Sequence, residues 1–140
     1  MLIRTILVGA LAGLASPALA DRTAAPEGAA AYIVAPADGE AVSSPVTVVF
    51  GLRGMGVAPA GVEAENTGHH HLLIDVEPAE LDMENPLPAT DNIVHFGGGQ
   101  TEVAIELPAG EHQLRLLLGD ANHIPHEPPV VSEPVTIVVE

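Results

Sequence analysis

The chain contains no cysteine and no tryptophan, and aromatic residues make up only 2% of it. Without cysteine there can be no disulfide bond, no lipid anchor on a cysteine and no thiolate-bound metal, which excludes a blue-copper centre. The three aromatic residues are Tyr32, Phe50 and Phe96. The core of this protein must therefore be aliphatic, and its stability must come from burial, hydrogen bonding or a bound metal.

Positive charge is also scarce. Four basic side chains, all arginine, stand against 19 carboxylates, giving a formal net charge of −15. Because nucleic acids and anionic membranes require a basic surface, both are poor partners for this chain. A strongly acidic surface instead raises the local concentration of cations. The same acidity also keeps a secreted domain soluble, so the charge by itself leaves both interpretations open.

The first twenty residues have the pattern of a secretory signal peptide. Arg4 is followed by an apolar run over residues 6–14, and Ala18-Leu19-Ala20 precedes Asp21. This order of a basic, an apolar and a small-residue region predicts cleavage after Ala20 and export. The alternative is a buried first helix. The Ala-, Pro- and Gly-rich composition favours the bacterial periplasm. We expect residues 21–30 to be a flexible linker and residues 31–140 to form one domain.

The rest of the chain predicts an all-β fold. Thirteen prolines and fourteen glycines interrupt it at short intervals, and no convincing amphipathic helix is present. Seven short runs rich in Val, Ile and Leu are predicted strands: residues 32–34, 46–52, 70–76, 92–96, 101–107, 112–118 and 135–139. Their number and spacing are typical of an immunoglobulin-like β-sandwich. The long loops 54–68 and 77–91 are predicted to be functional or disordered.

Six of the seven histidines fall in three patches: residues 69–71, His95, and the pair His123 and His126. Imidazole is the commonest protein ligand of zinc and copper. Strand alternation puts His70 on the inner face with Leu72, and puts His69 and His71 on the other face. One metal therefore cannot bind all three members of the first patch, and its remaining ligands must come from elsewhere.

The other patches each allow two interpretations. His95 precedes three glycines and is either a ligand or a turn residue bonded to the backbone. His123 and His126 lie on a proline-stiffened loop. Asp120 either orients one of these imidazoles or organises the turn through backbone bonds. Met55 is either a soft ligand for Cu(I) or a packing residue. His112 stands alone beside a predicted hairpin turn and is interpreted as structural.

These patterns predict one metal site. The predicted ligands are His71, His95, His123 and His126, with His69, His70 and Met55 as reserves and Asp120 in a supporting position. Copper or zinc is the expected ion, with copper preferred because of the compartment and Met55. Neutral imidazole is the ligand, so binding should weaken at low pH.

Several longer segments carry a family resemblance: residues 54–61, 66–75, 95–102 and 118–126. Through them the chain resembles a bacterial secreted family catalogued as domain-of-unknown-function family 4399. The resemblance covers residues 32–139 and implies a small secreted β domain with no established activity. Members of that family often carry further histidines where this chain has Ile93 and Ala121. If those histidines were ligands, this chain would bind metal with fewer of them or more weakly.

The resulting functional hypothesis is a periplasmic metal-binding domain for buffering, delivery or resistance. The alternative is a non-catalytic module that presents loops, held by structural histidines, to an envelope partner. The sequence contains no G-x-S-x-G motif and no reaction-specific constellation, so a binding role is preferred over an enzymatic one.

Overall fold

The computed structural model describes residues 21–140, so the predicted signal peptide lies outside the described residues. Within this range the chain forms nine strands: β1 Ala30–Ala35, β2 Ala41–Val42, β3 Val46–Arg53, β4 Gly56–Val57, β5 Thr67–Ile74, β6 Ile93–His95, β7 Glu102–Ile105, β8 Gly110–Gly119 and β9 Val135–Val139. One short 3-10 turn, Pro78–Glu80, separates β5 from β6. Residues 21–140 contain no helix that is long and apolar enough to cross a membrane.

The strands form two sheets. The smaller sheet has the order β1-β3-β7, and the larger has the order β2-β9-β8-β5-β4, with β6 also paired to β5. The predicted β-sandwich is therefore confirmed, and each of the seven predicted strands has a counterpart. The sequence missed β2 and β4, which are two residues long and too short to show hydrophobic alternation.

The main core lies between the sheets and is almost entirely aliphatic, as predicted. Val48 and Phe50 of β3 pack there with alternate residues of β5 and β8, among them Leu72 and Leu116. Only one face of each strand contributes, because successive side chains point to opposite sides of a sheet. The intervening residues of β5 and β8 therefore face outward from the sandwich.

This outer face of the larger sheet has a second apolar cluster. Leu73, Leu117 and Ile93 are buried there. Residues 77–91, here called the acidic loop, cover them with Leu87 and the partly buried Met83. The loop therefore packs on the same face of β5 that carries His71, two positions from Leu73.

Residues 22–25, here called the N-terminal strap, lie where the sequence predicts a flexible linker. In the structure they pair with the chain near Glu127: the Ala25 amide donates to the Glu127 carbonyl at 3.0 Å, and the Glu127 amide donates to the Thr23 carbonyl at 2.9 Å. These hydrogen bonds join backbone atoms that are distant in sequence. The strap has no hydrophobic pattern from which they could be predicted.

Candidate metal centre

Strand β5 supplies two of the imidazoles that form the centre. His69 and His71 lie two residues apart and share the outer face, whereas His70 turns inward, with its ring centroid 5.2 Å from that of Phe50. All three side chains are buried, with exposures of 0%, 0% and 1%. The separation of His70 from its two neighbours that alternation predicts is therefore observed.

Strand β6 supplies the third imidazole. In the antiparallel pairing of β5 with β6, His71 lies directly opposite His95. Directly opposed residues of an antiparallel pair project from the same face with Cβ atoms about 5 Å apart. The pairing thus adds His95 to the face that holds His69 and His71.

The fourth imidazole comes from residues 120–124, the turn that follows β8, here called the His123 turn. His123 has a positive φ of 66°, a conformation in which histidine is enriched relative to most residues. Oδ1 of Asp120 accepts hydrogen bonds from the amides of Asn122 and Ile124 at 2.8 and 3.0 Å. Oδ2 accepts a hydrogen bond from the Thr23 hydroxyl at 2.7 Å. Asp120 thus organises the turn, which is one of the two roles the sequence allowed it.

Together these elements bring His69, His71, His95 and His123 into one group, the four-histidine group. One potential ligand nitrogen from each ring lies within 4.8 Å of the corresponding nitrogens of the other three. Ligands of a tetrahedral ion with metal–nitrogen bonds of about 2.1 Å would be roughly 3.4 Å apart. The observed arrangement therefore needs only small ring movements to close around one ion.

The group has a buried side and an open side. His69 and His71 have 0% and 1% exposure, whereas His95 and His123 are only partly buried. A hollow of about 100 Å³ opens beside the outer pair and is also lined by Leu87 and Ala89 of the acidic loop. An ion can therefore enter past His95 and His123 without opening the sandwich.

Two glycines leave room for these rings. A Cβ atom on Gly119 would lie 2.7 Å from Cε1 of His71, and one on Gly97 would lie still closer to Cε1 of His95. Both distances are below ordinary carbon–carbon contact, so a side chain at either position would displace an imidazole. Both glycines shape the group, and no sequence pattern distinguishes Gly119 from the other glycines of the chain.

The environment keeps the inner imidazoles neutral. Burial, followed by the proximity of His123 and His95, lowers the pKa of His69 to about 4. Burial and then the three neighbouring histidines lower the pKa of His71 to about 3. Partial burial and then His123 lower the pKa of His95. Neutral imidazole is the form that binds metal, so protons compete weakly for these nitrogens.

Several imidazole nitrogens of the group lack a hydrogen-bond partner within the described chain. Nε2 of His69 and Nδ1 of His123 are 3.0 Å apart and share one hydrogen bond. Nδ1 of His69 and both nitrogens of His71 are buried and have no hydrogen-bond partner within the described chain. Buried polar atoms in proteins are almost always satisfied, and these nitrogens are free to accept a ligand; both nitrogens of His70, outside the group, share the deficit within the described chain.

The remaining predicted residues lie elsewhere. His126 is fully buried, but its Nε2 contacts the Thr67 carbonyl at 3.2 Å and it is not a member of the group. Met55 packs against the main core between the sheets. His70 also faces that core. His112, interpreted as structural, bonds Asp75 at 2.7 Å and the Pro108 carbonyl at 2.8 Å.

The two positions where relatives are expected to carry histidine also have defined places. Ile93 is on the same face as His95 but is buried in the outer apolar cluster. The carbonyl of Ala121, in the His123 turn, accepts the amide of Gly61 at 2.9 Å. The four-histidine group thus forms without a histidine at either position.

Comparison with known proteins gives a family for this chain. A family model described as a domain of unknown function (DUF4399) matches residues 48–140. The match covers more than half of the chain and includes every member of the four-histidine group, so the chain belongs to this family. No curated protein and no solved structure matches it.

Proposed function

We propose that this member of the family binds one divalent copper or zinc ion through His69, His71, His95 and His123. The observation that carries the proposal is the convergence of four potential ligand nitrogens within 4.8 Å of one another. Three chain segments, distant in sequence, meet to form the group, and among residues 21–140 its inner imidazoles have nitrogens without hydrogen-bond partners.

The donor set favours borderline metals. Imidazole nitrogen suits copper, zinc and nickel, whereas magnesium and calcium prefer oxygen ligands. A thioether would favour Cu(I), but the partly buried Met55 packs against the main core between the sheets. The preference for copper therefore loses the support of Met55, and Cu(II) is favoured over Zn(II) only by its generally higher affinity for nitrogen sites.

In this proposal the chain is exported to the bacterial periplasm and buffers or delivers the ion. The outer pair of imidazoles and the hollow beside them support exchange of the ion with solvent, because a purely structural site is usually closed. The formal net charge of −15 favours the approach of a cation.

Equilibrium dialysis of untagged protein against Cu(II) and Zn(II) tests the proposal. We expect one equivalent to bind at micromolar free metal, and a variant lacking both His71 and His95 to bind none at the same site. Substoichiometric binding, or unchanged binding by the double variant, would contradict it.

A second candidate is the interaction module with structural histidines. The 3.0 Å hydrogen bond between His69 and His123 favours it, because that bond joins β5 to the His123 turn without any metal. It predicts that a chelator leaves the melting temperature unchanged and that His123→Ala destabilises the metal-free protein.

A further inference from the structure

One arginine joins the three segments that surround His123. The Arg22 side chain, only 9% exposed, belongs to the N-terminal strap and contacts Glu84 of the acidic loop at 3.5 Å. Its Nε donates to the Pro125 carbonyl at 3.0 Å. Its two terminal nitrogens also contact the His126 carbonyl and the Glu127 carboxylate. The guanidinium thus binds the chain just after His123 and links it to the acidic loop.

The neighbouring residue of the strap acts on the other side of His123. The Thr23 hydroxyl donates to Oδ2 of Asp120 at 2.7 Å. Oδ1 of the same carboxylate accepts hydrogen bonds from the amides of Asn122 and Ile124. Thr23 therefore contacts the start of the His123 turn, and Arg22 contacts the chain just after its end.

The acidic loop also bonds the His123 turn. The Leu87 amide donates to the His123 carbonyl at 2.9 Å, and the His123 amide donates to the Asp120 carbonyl at 2.9 Å. Because Arg22 also binds Glu84, the strap, the turn and the acidic loop form one connected network. His95 and His71, by contrast, are placed by strand pairing.

We propose that Arg22 and Thr23 are positioning residues that hold His123 in place as a ligand, so that the N-terminal strap completes the metal centre. This inference rests on the proposed metal-binding function. The physical reason is that His123 lies on a short turn with a positive φ, outside any strand, and its orientation depends on contacts made by the turn. Groups that orient metal ligands typically contribute 10- to 100-fold in metal affinity.

The test is a double-mutant cycle in the full chain, with Cu(II) and Zn(II) as probes. Arg22→Met keeps most of the buried stem but removes the guanidinium, and Thr23→Val removes only the hydroxyl. We expect Arg22→Met to weaken binding by about tenfold or more and Thr23→Val by a smaller factor. Arg53→Met is the matched control, because Arg53 stacks on Tyr32 at 5.9 Å and should leave the affinity unchanged.

The cycle is closed in a His123→Ala background, which separates positioning from general destabilisation. If Arg22 acts through His123, Arg22→Met should cause no further loss of affinity there. An equal loss in both backgrounds, or an affinity within twofold of the parent when folding is intact, would overturn the proposal. Arg22→Lys is the milder variant to use if Arg22→Met does not fold.

Amide hydrogen exchange of the metal-free protein separates this inference from the proposed function. We expect Arg22→Met to speed exchange of the His123 and Leu87 amides at least tenfold, with β8 amides unchanged. If the parent binds no metal, the proposed function fails while this measurement still reports on the positioning of His123. Unchanged exchange at both amides would overturn the positioning role.

Discussion

His71 and His95 are direct cross-strand partners, and their ring centroids are 5.2 Å apart. The register between β5 and β6 therefore decides that these two imidazoles can share an ion. A slip of one residue would turn one of them to the other face of the sheet. Because His69 lies two residues before His71, the same register also sets the position of a third imidazole.

Metal should stabilise the folded protein. A ligand that binds only the native state adds about 2.7 kcal/mol at a free concentration 100 times its dissociation constant. For a domain of this size that corresponds to a rise in melting temperature on the order of 10 °C. Thermal melts with Cu(II) or Zn(II), followed by excess chelator, check this. A melting temperature that changes neither with metal nor with chelator would favour the structural role of the histidines.

The replacement His95→Ala should separate binding from stability. His95 lies on the open side of the group and is only partly buried, so its removal should change the stability of the metal-free protein by no more than about 1 kcal/mol. It removes one of four ligands, and we expect at least a tenfold loss of metal affinity by dialysis. His112→Gln is the control, because His112 is outside the four-histidine group. Equal affinities for these two variants would contradict the assignment of His95.

Adding one methyl group at Gly119 should disturb the centre. In Gly119→Ala the new Cβ would lie 2.7 Å from Cε1 of His71. Overpacking of this kind typically costs 1–3 kcal/mol, so we expect a destabilisation of about 2 kcal/mol by urea unfolding together with weaker metal binding. Gly56→Ala is the matched control, because its nearest neighbour would be 3.6 Å away. A Gly119→Ala protein that binds and unfolds like the parent would show that His71 can move freely.

Replacing His70 should reduce the sensitivity of the metal-free protein to acid. Burial lowers the pKa of His70 from 6.5 to about 4. Between these values the unfolded state binds a proton that the folded state does not, so stability is full above pH 6.5 and is lost as pH falls toward 4. Neither His70 nitrogen has a hydrogen-bond partner in the described chain. We therefore expect His70→Leu to be at least as stable as the parent at pH 7.

Urea titrations of His70→Leu and the parent at pH 7 and pH 5 provide the measurement. The parent should lose more of its free energy of unfolding than the variant between these pH values. Parallel losses would show that His70 is hydrated or bonded in solution.

His112 should give the opposite dependence on pH. Its hydrogen bond to Asp75 raises its pKa above 6.5. The folded state then binds the proton more tightly, so this contribution is full below pH 6.5 and is lost as pH rises through the folded pKa. His112→Gln should therefore destabilise the protein more at pH 6 than at pH 8.5. Direct titration of His112 by NMR checks the sign, and a pKa below 6.5 would contradict it.

Much of the architecture was predictable because strand periodicity is a local property. The alternation that separates His70 from His69 and His71 can be seen in the sequence, and so can the aliphatic core. The sequence also named His71, His95 and His123 as members of one site, with His69 in reserve. It could not distinguish His123 from His126, because both lie on one proline-rich loop and only the folded turn orients their rings.

The long loops were less predictable. The N-terminal strap was expected to be a flexible linker, but Arg22 and Thr23 bond the turn around His123. The acidic loop was expected to be functional or disordered, and it packs Leu87 on the outer face of the larger sheet. Such contacts join residues far apart in sequence, and no local pattern encodes them.

The sequence by itself therefore determined the composition of the core, the face of each strand and the absence of any thiolate ligand. The tertiary structure decided which histidines meet. It paired His71 with His95 through strand register and brought His123 to them from the end of β8. The physical reason is that side-chain direction follows from local backbone geometry, whereas the meeting of distant segments depends on how the whole chain packs.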